Sequence, residues 1–175
     1  MADISKLTVA AGSTVTFGGV DLGHTVDGVE IEVERELVEV KTDLYGNTPV
    51  DYVLVGQHLT VRLRLAEITP GILSYLVPES DYDAGSADDQ LHFGANAGYS
   101  LRGDALELII TPQGNNSDGN LTLTLFKAIS NANVSFAYKI DEQSVFDVEF
   151  TALVDESRSA TDGRLLGRLG PNLIS

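Results

Sequence analysis

From Val29 the chain alternates: Val29, Ile31 and Val33 are apolar, and Glu30, Glu32, Glu34 and Glu36 occupy the intervening and following positions. Apolar residues at every second position predict a strand with one buried face and one solvated face. Arg35 interrupts the apolar row, which resumes at Leu37. The phase then slips at Leu37-Val38, and Val38 and Val40 carry the apolar side onward. Two adjacent apolar residues at a change of phase predict a β-bulge or a change of sheet. A second clean run is Leu59, Val61, Leu63 and Leu65, with Thr60, Arg62 and Arg64 on the opposite face. A third repeats Phe146, Val148 and Phe150 around Asp147 and Glu149. Runs rich in β-branched and aromatic residues predict further strands over 7–10, 14–17, 105–111, 121–128, 133–140 and 144–154.

Turn residues separate these runs. Gly18-Gly19 and Asp27-Gly28 precede the acidic strand, residues 114–120 read as a hairpin loop, and Asp141-Glu142-Gln143 reads as a short turn. One helix is predicted. Thr69 supplies an N-cap and Pro70 the first helical position, Ile72, Leu73 and Leu76 form a buried stripe, and Pro78 ends it. Residues 80–98 read as a polar, glycine-containing loop without periodicity. The fold class is therefore mainly β: a β-sandwich or partly closed barrel with one short flanking helix and a long inter-strand loop.

If the runs 29–41 and 53–65 pair antiparallel, agreement of both faces favours Arg64 opposite Glu32 and Arg62 opposite Glu34. Ile31, Val33 and Leu37 then face Leu65, Leu63 and Leu59. The connection 42–52 exceeds the ~2–5 residues usual in hairpins. It carries Leu44, Tyr45 and Tyr52 at the end of a long hairpin, which points to a protein contact.

Composition narrows the chemistry. The 175 residues hold 26 acidic and 11 basic side chains, a formal charge of −15, with no cysteine and no tryptophan. One domain is the default at this length. Absent cysteine excludes disulfides, thiolate metal sites and a Cys nucleophile. Few cations disfavour a tight grip on nucleic acid or on an anionic membrane. The N-terminal residues lack a secretory pattern. His24, His58 and His92 have no ligand spacing, and the loop acids Asp81, Asp83, Asp88 and Asp89 do not follow the EF-hand pattern. No nucleophile elbow, P-loop or dinucleotide fingerprint occurs. Glu30/Glu32 or Asp147/Glu149 have the ~7 Å spacing of same-face strand neighbours, in the range of a glycosidase pair. So many carboxylates make any such pair uninformative. The expectation is no enzyme, no metal and no cofactor.

The residues also carry a resemblance. The stretch EVKTDLYGNTPVDYVLVG (residues 39–56), then LTVRLRLAE (59–67) and a short helix, resembles the tail tube proteins of long-tailed bacteriophages. In that family a D-x-x-G-x-T-P-x-D segment joins two long strands and is followed by a glycine, an alternating strand, an acid and a helix. Here those positions are Asp43, Gly46, Thr48, Pro49, Asp51, Gly56 and Glu67. Gly18-Gly19-Val20-Asp21-Leu22-Gly23 and Asp27-Gly28-Val29-Glu30 resemble the lead-in, and the match runs over about 15–77. The resemblance implies a tail-tube β-sandwich domain over 1–155 that completes an inner β-barrel on oligomerisation. It implies hexameric rings stacked into a tube with other tail proteins, DNA as cargo, and location in the virion tail after assembly in the host cytoplasm.

The lumen-lining candidates are then Glu30, Glu32, Glu34, Glu36, Arg62 and Arg64, with Glu32 and Glu34 expected to mask the arginines. Inter-ring contact candidates are Asp43, Leu44, Tyr45, Gly46, Thr48, Pro49, Asp51 and Tyr52. The C-terminal segment 156–175 has a net charge of +1 and reads as a mobile tail or as a segment ordered by a neighbouring subunit. Its Arg158, Arg164 and Arg168 are inter-subunit charge candidates. Alternatives are the tube of a contractile secretion or bacteriocin system, and a monomeric carbohydrate-binding sandwich that stacks sugars on Tyr45 and Tyr52.

Overall fold

The computed structural model describes residues 10–85, 88–94, 97–114, 121–131, 145–158 and 164–171. The chain is mainly β, as the alternation predicts. The strands are β1 (Ala10–Phe17), β2 (Val20–Asp21), β3 (Thr25–Lys41), β4 (Pro49–Leu65), β5 (Asp81–Ala84) and β6 (Asp89–His92). They continue with β7 (Leu106–Gly114), β8 (Leu123–Ser130), β9 (Phe146–Ala152) and β10 (Gly167–Leu169). Eight of them form one antiparallel sheet in the order β2-β1-β7-β8-β9-β4-β3, with β10 added to β8.

The sheet curls over a single core. Phe17 of β1 and Phe150 of β9 meet with ring centroids 4.9 Å apart, although β7 and β8 stand between these strands in the sheet. Alternate residues of each strand fill the space: Val15, Leu108, Leu125, Val148, and the row Leu59, Val61, Leu63 and Leu65. Each such side chain contributes about 1.5–3 kcal/mol when fully buried. β1 and β3 approach each other, yet among the described residues they do not pair. The sheet is open and sandwich-like, and the partly closed barrel is set aside.

The helix α1 (Pro70–Leu76) forms as its local signals predict. Thr69 Oγ1 accepts from the Ile72 amide at 3.2 Å, Pro70 opens the first turn, and Leu73 and Leu76 are buried. It packs on β5 and β6. Those two strands correct the reading of 80–98 as irregular. Tyr82 pairs with Leu91 in a small hairpin, but two four-residue strands with one large apolar side chain each are too short to show a period.

The β3–β4 pairing is antiparallel, but its register differs from the expected one. Glu30 faces Arg62, Glu32 faces Thr60 and Val33 faces Leu59. The slip is four residues. Over Val29–Glu36 this even slip leaves each side chain on its assigned face. Its cause is early closure of the turn, since Lys41 already pairs with Pro49. The connection holds a 3-10 turn over Asp43–Tyr45, in which the Tyr45 amide donates to Thr42 O at 3.1 Å. Gly46, at φ 61°, reverses the chain in the left-handed region that glycine tolerates. A bulge falls at the Glu36–Leu37 step, next to the expected phase slip, but the extra residue, Val55, belongs to β4; β3 therefore keeps its alternation, and Val38 and Val40 come out on the glutamate face rather than carrying the apolar side onward.

Within 156–175, Gly167–Leu169 pairs with Leu123–Leu125 of the same chain. The predicted strand 133–140 and the turn at 141–143 lie outside the described residues, as do most of the loop 114–120 and of the strand 7–10.

Candidate functional site

The strongest candidate is the hairpin of β3 and β4. Both strands have 17 residues, while β9 supports β4 only over Thr60–Leu65. Beyond Thr60 the two strands have only each other among the described residues. They form a ribbon that runs roughly 35 Å past the core at the rise of a strand. Every residue of β3 from Val33 to Lys41 is exposed, and so is β4 from Val50 to His58 apart from Gly56.

The ribbon has two different faces. One continues the core outward: Ile31, Val33 and Leu37 on β3 with Leu59 and Leu54 on β4. Leu54 is 52% exposed and Val33 the same. Tyr52 ends this row, its hydroxyl donating to Glu39 at 3.3 Å. The other face begins acidic, with Glu30, Glu32, Glu34 and Glu36, and turns apolar at Val38, Val40 and Val53. At the tip Leu44 is 82% exposed and Tyr45 61%. A two-stranded hairpin alone in water is marginal, and among the described residues no strand pairs its outer edges, whose backbone donors and acceptors can take another chain.

At its base the acidic face carries an ion ladder across three strands. Arg62 lies between β3 and β9, donating to Glu32 at 2.6 Å and to Glu149 at 2.8 Å. Arg64 donates to Asp27 at 2.9 Å and to Asp147 at 2.7 Å. The hydrogen bonds from Glu149 and then Glu32 raise the pKa of Arg62, and those from Asp147 and then Asp27 raise that of Arg64. The ladder lines a cleft of about 590 Å³ with Leu63, Val148 and Asn131 in its walls. Asp27 reaches Arg64 because Asp27-Gly28 bulges out of β3, both residues at positive φ.

The expected masking of the arginines is thus half right. Glu32 serves Arg62, but Glu34 sits opposite His58 and holds neither cation. Asp27, Asp147 and Glu149 do the rest. Alternation placed Asp147 and Glu149 on one strand face, but nothing in the sequence says that β9 borders β4. Of the contact candidates, Asp43, Leu44 and Tyr45 make the 3-10 turn and Gly46 and Thr48 close it. Pro49, Asp51 and Tyr52 lie on β4, where the Tyr52 amide donates to Asp51 at 2.8 Å. Among the C-terminal cations, Arg158 is engaged within the chain, bonded to Asp155 at 3.1 Å and lying 3.4 Å over the Phe126 ring. Arg168 lies on β10 and Arg164 is exposed.

Among the described residues no group of three or more His, Cys, Asp or Glu could hold a metal ion. No helix there is long and apolar enough to cross a membrane.

No protein-family model and no curated protein matches the sequence. In three dimensions the chain is similar to a chain of a solved PVC sheath–tube complex, an extracellular contractile injection system in its extended state. That similarity has a TM-score of 0.53 at 10% identity and covers 85% of this chain and 88% of the other. At that identity the likeness is one of fold.

Proposed function

We propose that this chain is a structural, non-enzymatic subunit that polymerises into a tail-type tube through the β3–β4 ribbon. The ribbon carries the reading: its apolar face continues the core into solvent, and among the described residues both outer edges are open beyond Thr60. Such an element is stabilised when copies cover the face and pair the edges. A repeated edge-to-edge contact is heterologous, and it closes into a ring when the rotation allows. Rings of six, as the resemblance implies, stack into a tube whose inner wall is the row of ribbons. The acidic residues Glu30, Glu32, Glu34 and Glu36 line the lumen. The turn at 43–48 reaches a neighbouring ring.

The phage resemblance makes DNA the cargo and the virion tail the location. The fold likeness to a contractile injection complex supports a second reading, a tube of that kind with another cargo. Both readings require polymerisation. Light scattering and negative-stain electron microscopy of the purified chain should show rings or tubes. A persistent monomer that binds glycans would overturn the proposal in favour of a carbohydrate module.

A further inference from the structure

Arg62 and Arg64 each bridge a carboxylate from β3 and one from β9. Both side chains remain about half exposed, at 49% and 52%. An exposed pair of this kind adds little stability, so fastening alone does not account for giving each cation two carboxylates. The ladder does serve as a charge cover, because on each arginine Nε and one terminal nitrogen are both bonded to carboxylates, two anions to each cation. Two bare arginines at alternate positions of one strand face, ~7 Å apart, would instead offer planar forks to phosphate or sulfate groups.

We propose that Asp27, Glu32, Asp147 and Glu149 are polyanion shields, which occupy both arginines so that this face does not hold a phosphate-bearing or sulfated polymer. Glu30, Glu34 and Glu36, on the same side of β3, keep the surrounding charge negative. The arginines in turn separate carboxylates that would otherwise crowd across β3, β4 and β9, where like charges destabilise neighbouring strands. The consequence for a conduit rests on the tube reading, but the shielding itself is a property of one subunit.

The test is retention of the whole chain on immobilised heparin at low ionic strength, with anisotropy of a labelled DNA duplex as a second probe. The amides of D27N/E32Q/D147N/E149Q keep hydrogen-bond acceptors beside both guanidiniums and remove the charge. The wild-type chain should pass unretained. The fourfold variant should be retained, bind DNA about tenfold tighter at low salt, and release with added salt. Adding Arg62→Gln and Arg64→Gln should return it to the wild-type behaviour. If circular dichroism shows the fourfold variant unfolded, D147N/E149Q should give the same effect at smaller size. Passage of a folded shield variant like wild type would overturn the proposal, and so would retention that survives loss of the arginines. Particle images report assembly separately, so failure of the tube reading and failure of the shield are distinguishable.

Discussion

Asp155, in the bend after β9, ties the C-terminal segment to the sheet. Its nearly buried carboxylate accepts from the Ser157 hydroxyl at 2.8 Å, the Ser157 amide at 3.2 Å and Arg158 Nε at 3.1 Å, with Lys127 at 3.6 Å. Its own amide donates to Leu165 O at 3.0 Å. The Ser157 hydroxyl, then its amide, Arg158 and Lys127, hold this carboxyl below its ordinary value against the opposing effect of burial. A depressed folded pKa gives stability that is fully present above the unfolded value near 3.8 and is lost as pH falls from there through the lower folded value. Asp155→Asn should therefore melt below wild type at pH 7, and the gap should be smaller at pH 3. An equal gap at both pH values in thermal denaturation would show that charge is not the cause. Phe150→Ala removes the partner of Phe17 from the core and should cost about 3–5 kcal/mol in urea unfolding. Single residues were legible in the sequence where their partners are local. The Thr69 cap and its Ile72 amide sit three positions apart, whereas Glu149 bonds Arg62 of β4, which no spacing rule joins to it.

At the scale of elements, alternation located β3, β4 and β9 and assigned their faces up to Leu37; beyond it Val38 and Val40 lie on the glutamate face, because the extra residue of the bulge belongs to β4. Strand pairing is a separate question. The β3–β4 register was set by where the turn closes, and that depended on the 3-10 turn at Asp43–Tyr45 and on Gly46 rather than on side-chain matching. The β5–β6 hairpin is not legible in the sequence because α1, packed on it, supplies contacts that its own short strands do not encode. The cap of α1 is worth about 1 kcal/mol, so Thr69→Ala should lower stability by that amount without changing the fold. The ribbon makes the opposite prediction. Its distal half packs against nothing in the described chain, so deleting residues 46–51 should leave the melting temperature of the subunit almost unchanged. Polymerisation should be abolished. Normal tubes from the deletion variant would remove the turn from the assembly contact.

At the scale of the whole molecule, the curl of the sheet and the projection of one hairpin decide what the chain can do, and neither is a periodicity. Curling consumes the apolar faces of β1, β7, β8, β9 and the base of β4, and leaves the outer half of the ribbon uncovered. Any copy that covers it brings another charge of −15 close by. Attraction through apolar burial is nearly insensitive to salt, whereas repulsion between exposed charges fades beyond a Debye length of about 10 Å at 0.1 M and about 3 Å at 1 M. Polymerisation should accordingly be weak in 10 mM NaCl and strengthen as salt rises towards 0.5 M, read by light scattering at fixed protein concentration. Assembly that instead dissolves with salt would mean that ion pairs between copies hold the ring. The exposed cation Arg164 would then be the first residue to neutralise, and Arg164→Gln should weaken assembly at every salt concentration. If apolar cover dominates, Arg164→Gln should leave the salt midpoint where it was, and Leu54→Ser on the uncovered face should raise it.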